Sequence, residues 1–179
     1  MHDWNVVVTL NEGSFREAEQ FLQQFGEVSR TDYFNVLAMK TEDPMHLLDQ
    51  LQDRISVVPQ SLAFLARVVP ITQAFSFKSA QEFEEKARQS AAAMVPQLSG
   101  KKFFVRLHRR GFKGRLSSME EERCLDDHLL RLLEEAGSPG RIVFQDPDAV
   151  VIFEIIGQWT GCALFTRETM NKYSLLKIR

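Results

Sequence analysis

Between Lys101 and Arg115 the chain reads KKFFVRLHRRGFKGR, with seven basic residues and no acidic one. Guanidinium groups are planar forks that match phosphate oxygens, so a run of this kind suits a polyanion. Arg106 and His108 alternate with Phe103, Val105 and Leu107. A period of two puts the two sets on opposite faces of a strand. Arg109, Arg110, Lys113 and Arg115 are expected on a flexible loop that follows, where Gly111 and Gly114 permit tight backbone geometry. Phe112 lies among the basic residues, and two placements suit it: stacked on a base, or folded inward beneath a solvated loop. The charge is concentrated, because the whole protein carries -2 and the rest of the chain without this stretch carries -9. Residues 1–100 are net -5 and residues 101–179 net +3. Such a balance argues against an unspecific DNA coater and leaves room for a focused RNA or phosphate site.

The other chemistry-bearing residues are sparse. Cys124 and His128 are four apart on an expected helix and share a face, which allows a thiol–imidazole pair or plain core and surface filling. His2, His46, His108 and His128 fall on different elements, so no metal site is expected. The chain has no GxGxxG after a strand, no GxxxxGK[ST], no CxxC, no HExxH and no nucleophile elbow, and no cofactor is expected. Glu120–Glu122 and Asp126–Asp127 read as the acidic first turn and solvent face of a helix. Cys124 and Cys162 read as reduced thiols of a cytoplasmic protein. Asp3 sits where a signal peptide needs a basic residue, and no window approaches the length of a membrane span.

The elements that position these residues follow from periodicity and turn signals. Residues 4–10 read as a strand, and Ser14 with Glu17 as a capping box opening a helix that stops at Gly26. Residues 28–40 read as a second strand, long enough to be a hairpin pair, and Asp43-Pro44 opens a helix carrying Leu47, Leu48, Leu51 and Ile55. Pro70 makes residues 63–77 an edge, a bend or two short strands. Ser79 with Glu82 opens a helix that Pro96 is expected to end, and the basic strand follows. Ser118 with Glu121 opens a helix to about Ala136, its apolar side including Met119, Leu125, Leu129 and Leu133. Residues 142–144, 149–156 and 159–166 read as strands, the middle one central. Lys172, Lys177 and Arg179 form a second, modest basic cluster.

The stretch FFVRLHRRGFKGRLSSMEEERCLDDHLL, followed by DPDAVVIFEIIGQWTGCALFTRE, resembles a THUMP domain, above all in the group related to the tRNA acetyltransferase adaptor protein. Residues 1–77 resemble the ferredoxin-like domain that usually precedes it, so the expected fold is α/β (α+β), with a ferredoxin-like domain at 1–77 and a THUMP-like domain at 78–179. The resemblance implies binding of tRNA at its acceptor arm and 3′ end. The positions matching the family's basic residues are Lys102, Arg106, Arg109, Arg110, Lys113 and Arg115, with Gln158, Thr166 and Arg167 from the late strand. Relatives usually carry a catalytic domain as well. Because the chain ends soon after the motif, the expectation is a non-catalytic adaptor, not an enzyme. It would serve a separate tRNA-modifying enzyme such as an RNA acetyltransferase. Two alternatives stay open: a protein-interaction module in a tRNA- or ribosome-related assembly, and a small thiol-dependent enzyme using Cys124 and His128. Replacing Arg109 and Arg110 together is expected to weaken tRNA binding without unfolding the protein.

Overall fold

The computed structural model describes residues 1–178; Arg179, the last residue of the basic tail, lies outside them. The chain forms an α/β fold with mixed sheets and helices, and two compact units divide it: residues 2–72 with 170–177, and residues 73–169.

The first unit runs β1 (Val6–Leu10), α1 (Phe15–Leu22), β2 (Glu27–Arg30), β3 (Val36–Lys40), α2 (Pro44–Val57) and β4 (Leu65–Pro70). Its sheet has the order β2-β3-β1-β4 and is antiparallel throughout, so residues 28–40 do form a hairpin pair. Val6, Val7 and Val8 are at most 1% exposed, as a continuous apolar run on a central strand requires. Asp43 caps α2, accepting from the Met45 and His46 amides at 3.1 Å, whereas the Ser14 side chain makes no capping bond to α1. Gly26 is required at the start of the hairpin, because a Cβ there would sit 2.3 Å from the Lys40 carbonyl oxygen. The tail closes the outer edge of β4: the Val68 amide donates to the Leu175 carbonyl at 2.9 Å. In the tail the Tyr173 hydroxyl and Lys172 both meet Asp49, the ammonium at 3.3 Å, so Lys172 spends its charge inside this unit.

The second unit runs β5 (Gln73–Ser76), α3 (Ala80–Ala92), α4 (Val95–Leu98), β6 (Lys102–Arg110), α5 (Ser118–Glu135), β7 (Arg141–Ile142), β8 (Ala149–Ile156) and β9 (Trp159–Thr166); α6 (Arg167–Lys172) follows. Its sheet order is β5-β9-β8-β6-β7, with β6 parallel to β7 and β8, and β9 antiparallel to both its neighbours. Residues 63–77 therefore split after Pro70 into two strands that belong to different sheets. Pro96 opens α4 instead of ending the long helix, in the first-turn position where its missing amide costs nothing. Ser117, one residue before the expected Ser118, caps α5 by accepting from the Glu120 amide. Phe103, Val105, Leu107, Val151, Phe153 and Cys162 form the face of the sheet that packs with Phe83, Ala87, Leu125, Leu129 and Leu133 of α3 and α5. Met119 stays outside that core at 64% exposed. Among the described residues no helix is long and apolar enough to cross a membrane.

Candidate nucleic-acid interface

The basic stretch divides into a strand and a turn. Arg106 and His108 stand on the face of β6 opposite the core, as their alternation predicts, and Arg110 continues on that face. Register then pairs His108 directly with Glu154 of β8. Glu154 is fully buried, its carboxylate 3.1 Å from the His108 Nδ1 and 2.7 Å from the Arg110 Nη1. A buried carboxylate needs such partners, since its desolvation is compensated only by charge and hydrogen bonds. Burial lowers the Arg110 pKa to about 10, which leaves the guanidinium charged at neutral pH. Arg106 lies over the Phe104 ring at 5.2 Å and 3.7 Å from the Glu122 carboxylate. Arg109 shares the parity of the core face, and its Nη1 donates to the Gly111 carbonyl. Arg109 and Arg110 thus end a strand and do not sit on a flexible loop. Removing Arg110 strips a buried carboxylate of its guanidinium, so the double replacement with Arg109 is expected to destabilise the fold.

Helix α5 contributes the next correction. β7 pairs with β6 at Lys102 and Phe103 alone, which leaves the amides farther along that edge without a ladder partner. The Asp126 carboxylate accepts from the Val105 amide at 2.9 Å and Glu122 from the Leu107 amide at 2.8 Å. These acidic residues take the place of a missing strand and do not form the solvent face expected of them. Their spacing of four, which puts both on one side of a helix, was the available signal. Burial pushes the Asp126 pKa up to about 7 even against its bond from Val105. Glu121 is raised to about 7 as well, first by burial and then by a hydrogen bond with Glu84.

The turn half is built differently. Gly111 (φ 97°), Phe112 (φ 53°) and Gly114 (φ 78°) all adopt left-handed backbone. The glycines do so without steric cost, and Phe112 is held there by burial. Its ring is 8% exposed and lies 4.8 Å from the Phe77 ring, so it is a core anchor and not a stacking surface. The Arg115 and Leu116 amides donate to the Phe112 carbonyl at 3.0 and 3.1 Å, and Leu116 is buried too. Lys113, Gly114 and Arg115 are therefore the exposed tip of a turn pinned at both ends. The Arg115 guanidinium rests 4.2 Å over the Phe112 ring centroid, an arrangement that orients it without neutralising it.

The remaining candidates are scattered. Gln158 is exposed in the β8–β9 turn, and its neighbour Gly157 donates to the Arg110 carbonyl at 2.8 Å, which brings that turn to the end of β6. The Lys102 amide donates to Asp148 at 2.9 Å, with the side chain half-buried. Thr166 accepts from the Thr169 amide at the start of α6. Arg167 is held by Asp146 at 2.8 Å and Asp148 at 3.1 Å, so it ties β9 to the turn before β8. Cys124 is exposed on α5, and partial burial followed by Glu121 and Glu84 raises its thiol pKa. His128 is shifted down by burial and lies 2.9 Å from Arg131. An acidic setting of this kind keeps the thiolate fraction low. Glu154 is the residue that sequence reasoning missed, although it stands in the quoted run VVIFEIIGQ as one charge among apolar residues.

No family model matches the chain, and no curated protein matches it. Solved structures do. PH1313 from Pyrococcus horikoshii Ot3 superposes with a TM-score of 0.63 at 14% identity, over 89% of this chain and 53% of that one. TrmN from Thermus thermophilus gives 0.60 at 18% identity, over 91% and 45%. A 4-thiouridine synthetase, solved with RNA and bound ATP, gives 0.56 at 14% identity, over 92% and 42%. This likeness shows the fold, and the chain spans about half or less of the length of each of these proteins. It also overturns the expectation of a non-catalytic adaptor that is not an enzyme. The neighbours described by an activity are the synthetase, a possible methylase from Clostridium difficile 630 and a predicted N6-adenine-specific DNA methylase from Listeria monocytogenes. That expectation rested on where the chain ends, and a chain matching half of an enzyme gives no ground for excluding catalysis.

Proposed function

We propose that this chain works within an RNA-modifying enzyme, where it supplies the surface that grips the RNA, with tRNA as the substrate class. The observation that carries the reading is the shared fold over 92% of the chain with a synthetase solved in complex with RNA. The β-α-β-β-α-β order of the first unit supports a ferredoxin-like assignment. The second unit then takes the THUMP-like part. Lys113 and Arg115 are the primary phosphate ligands in this reading, because they project from a pinned turn and their charge is available. Arg106 and Lys102 extend the positive line along one face of β6, and Gln158 flanks its end, whereas Arg109 has the opposite parity and is held by the Gly111 carbonyl. Arg110 and Arg167 serve by holding the fold around that line.

The test is a titration with unfractionated tRNA and a duplex RNA of similar length at two salt concentrations. Saturable binding that favours tRNA and weakens with salt supports the reading; no binding at low salt overturns it. The enzymatic part is checked separately, by mass spectrometry of tRNA nucleosides from cells lacking the gene. Loss of one modified nucleoside is expected, and an unchanged profile removes the assignment to RNA modification.

A further inference from the structure

Phe144 is a solvent-exposed aromatic side chain of the second unit. It is 54% exposed, whereas Phe77, Phe83, Phe103, Phe104, Phe112, Phe153 and Phe165 are all buried. A single exposed phenylalanine is ordinary by itself. This one has a support behind it. Its ring centroid lies 5.2 Å from that of Phe104 at an interplanar angle of 46°, and Phe104 is 2% exposed. Phe104 in turn carries the Arg106 guanidinium 5.2 Å above its ring. The result is an aromatic pair with a wet outer ring, flanked by a guanidinium that is 30% exposed. Asp146 and Asp148 of the same turn share the Arg167 guanidinium at 2.8 and 3.1 Å, and Asp148 also faces Lys102. Glu122 faces Arg106 at 3.7 Å, and Asp126 also interacts with it electrostatically.

We propose that Phe144 is a stacking subsite for one unpaired nucleobase of bound RNA, with Arg106 and Lys102 beside it for the adjoining phosphate. A base offers a π-face of any sequence, and aromatic side chains take splayed bases in this way. The basic turn lies at the other end of β6. Phe104 and Arg110 are separated by six residues of strand, or about 20 Å at a strand's rise. One extended RNA segment therefore reaches both the phosphate-gripping tip and the stacking ring. The inference rests on the RNA-binding reading above and adds a subsite to it.

The experiment is a titration of wild type, Phe144→Ala and Phe144→Tyr with a hairpin RNA bearing a single-stranded overhang, repeated at several salt concentrations. The alanine variant is expected to bind roughly five- to a hundred-fold more weakly. Its log-affinity against log-salt slope stays that of wild type, because no phosphate contact is lost. Phe144→Tyr keeps the ring and keeps the affinity. An overhang made abasic reproduces the loss in wild type and adds nothing in Phe144→Ala. Binding of Phe144→Ala within twofold of a wild type that does bind this RNA overturns the subsite and leaves the RNA-binding reading standing. Absence of binding by wild type at low salt removes both.

Discussion

Arg110 and Arg115 belong to one basic run and have opposite surroundings. Arg110 ends a strand with its guanidinium 2.7 Å from a carboxylate that water does not reach. Arg115 projects from the tip of a turn and touches an aromatic ring. By residue type they are the same ligand. By position one is committed to the sheet and the other is available to a phosphate. Register makes the difference: β6 and β8 run parallel with His108 opposite Glu154, so strand cations on that face meet a carboxylate. The turn at residues 112–116 has no facing strand. A count of local charge thus overstates the part of it that a ligand can use.

That contrast is open to test at both ends. The largest effect is expected from Arg110→Ala or Glu154→Ala, which break a buried pair and cost roughly 3–5 kcal/mol in chemical denaturation. If Arg110→Ala is as stable as wild type, the strand half is not committed as described. Phe112→Ala removes the anchor of the turn and should cost a similar amount, roughly 3–5 kcal/mol, because the ring is buried against Phe77. Lys113→Ala with Arg115→Ala marks the other side of the comparison. Stability should change by less than about 0.5 kcal/mol per site, while the salt slope of tRNA binding falls by on the order of one unit or more. An unchanged slope would move the phosphate contacts away from the turn.

The pH dependence sharpens the account of β6. Asp126 and Glu121 have folded-state pKa values raised to about 7, so the folded protein keeps protons that the unfolded chain has already lost. Their stabilisation is complete below the unfolded carboxylate range of about 4 and is lost as pH rises through about 7. Stability should therefore decline between about pH 4 and pH 7, and Glu121→Gln should flatten the decline by on the order of 1 kcal/mol. A profile unaffected by the substitution would show that Glu121 titrates normally. The smallest effect is expected at Cys124, whose thiol pKa is raised by burial and acidic neighbours. Cys124→Ser should leave tRNA binding unchanged, and a mild thiol reagent should react slowly at neutral pH.

Much of this was legible beforehand for physical reasons that can be named. Alternation in FFVRLH determined which side of β6 faces the core, because a strand's period of two leaves no other choice. The turn glycines, the mostly apolar run of β8 and the Asp43 cap were equally local signals. Pro70 marked the end of β4 correctly, whereas the long helix ends at Ala92 and Pro96 lies in the first turn of the next one.

By itself, then, the sequence determined where the positive charge lies, the two faces of the basic strand and most element boundaries. Each of these depends on neighbours within a few residues. Tertiary structure decided which cations are spent and which are free, since Glu154, Asp126 and Glu122 approach β6 from 44, 21 and 15 residues along the chain. It also turned Phe112 inward and left Phe144 in water. Electrostatics and burial depend on distance in space, and no local pattern encodes which distant carboxylate will arrive beside a given arginine.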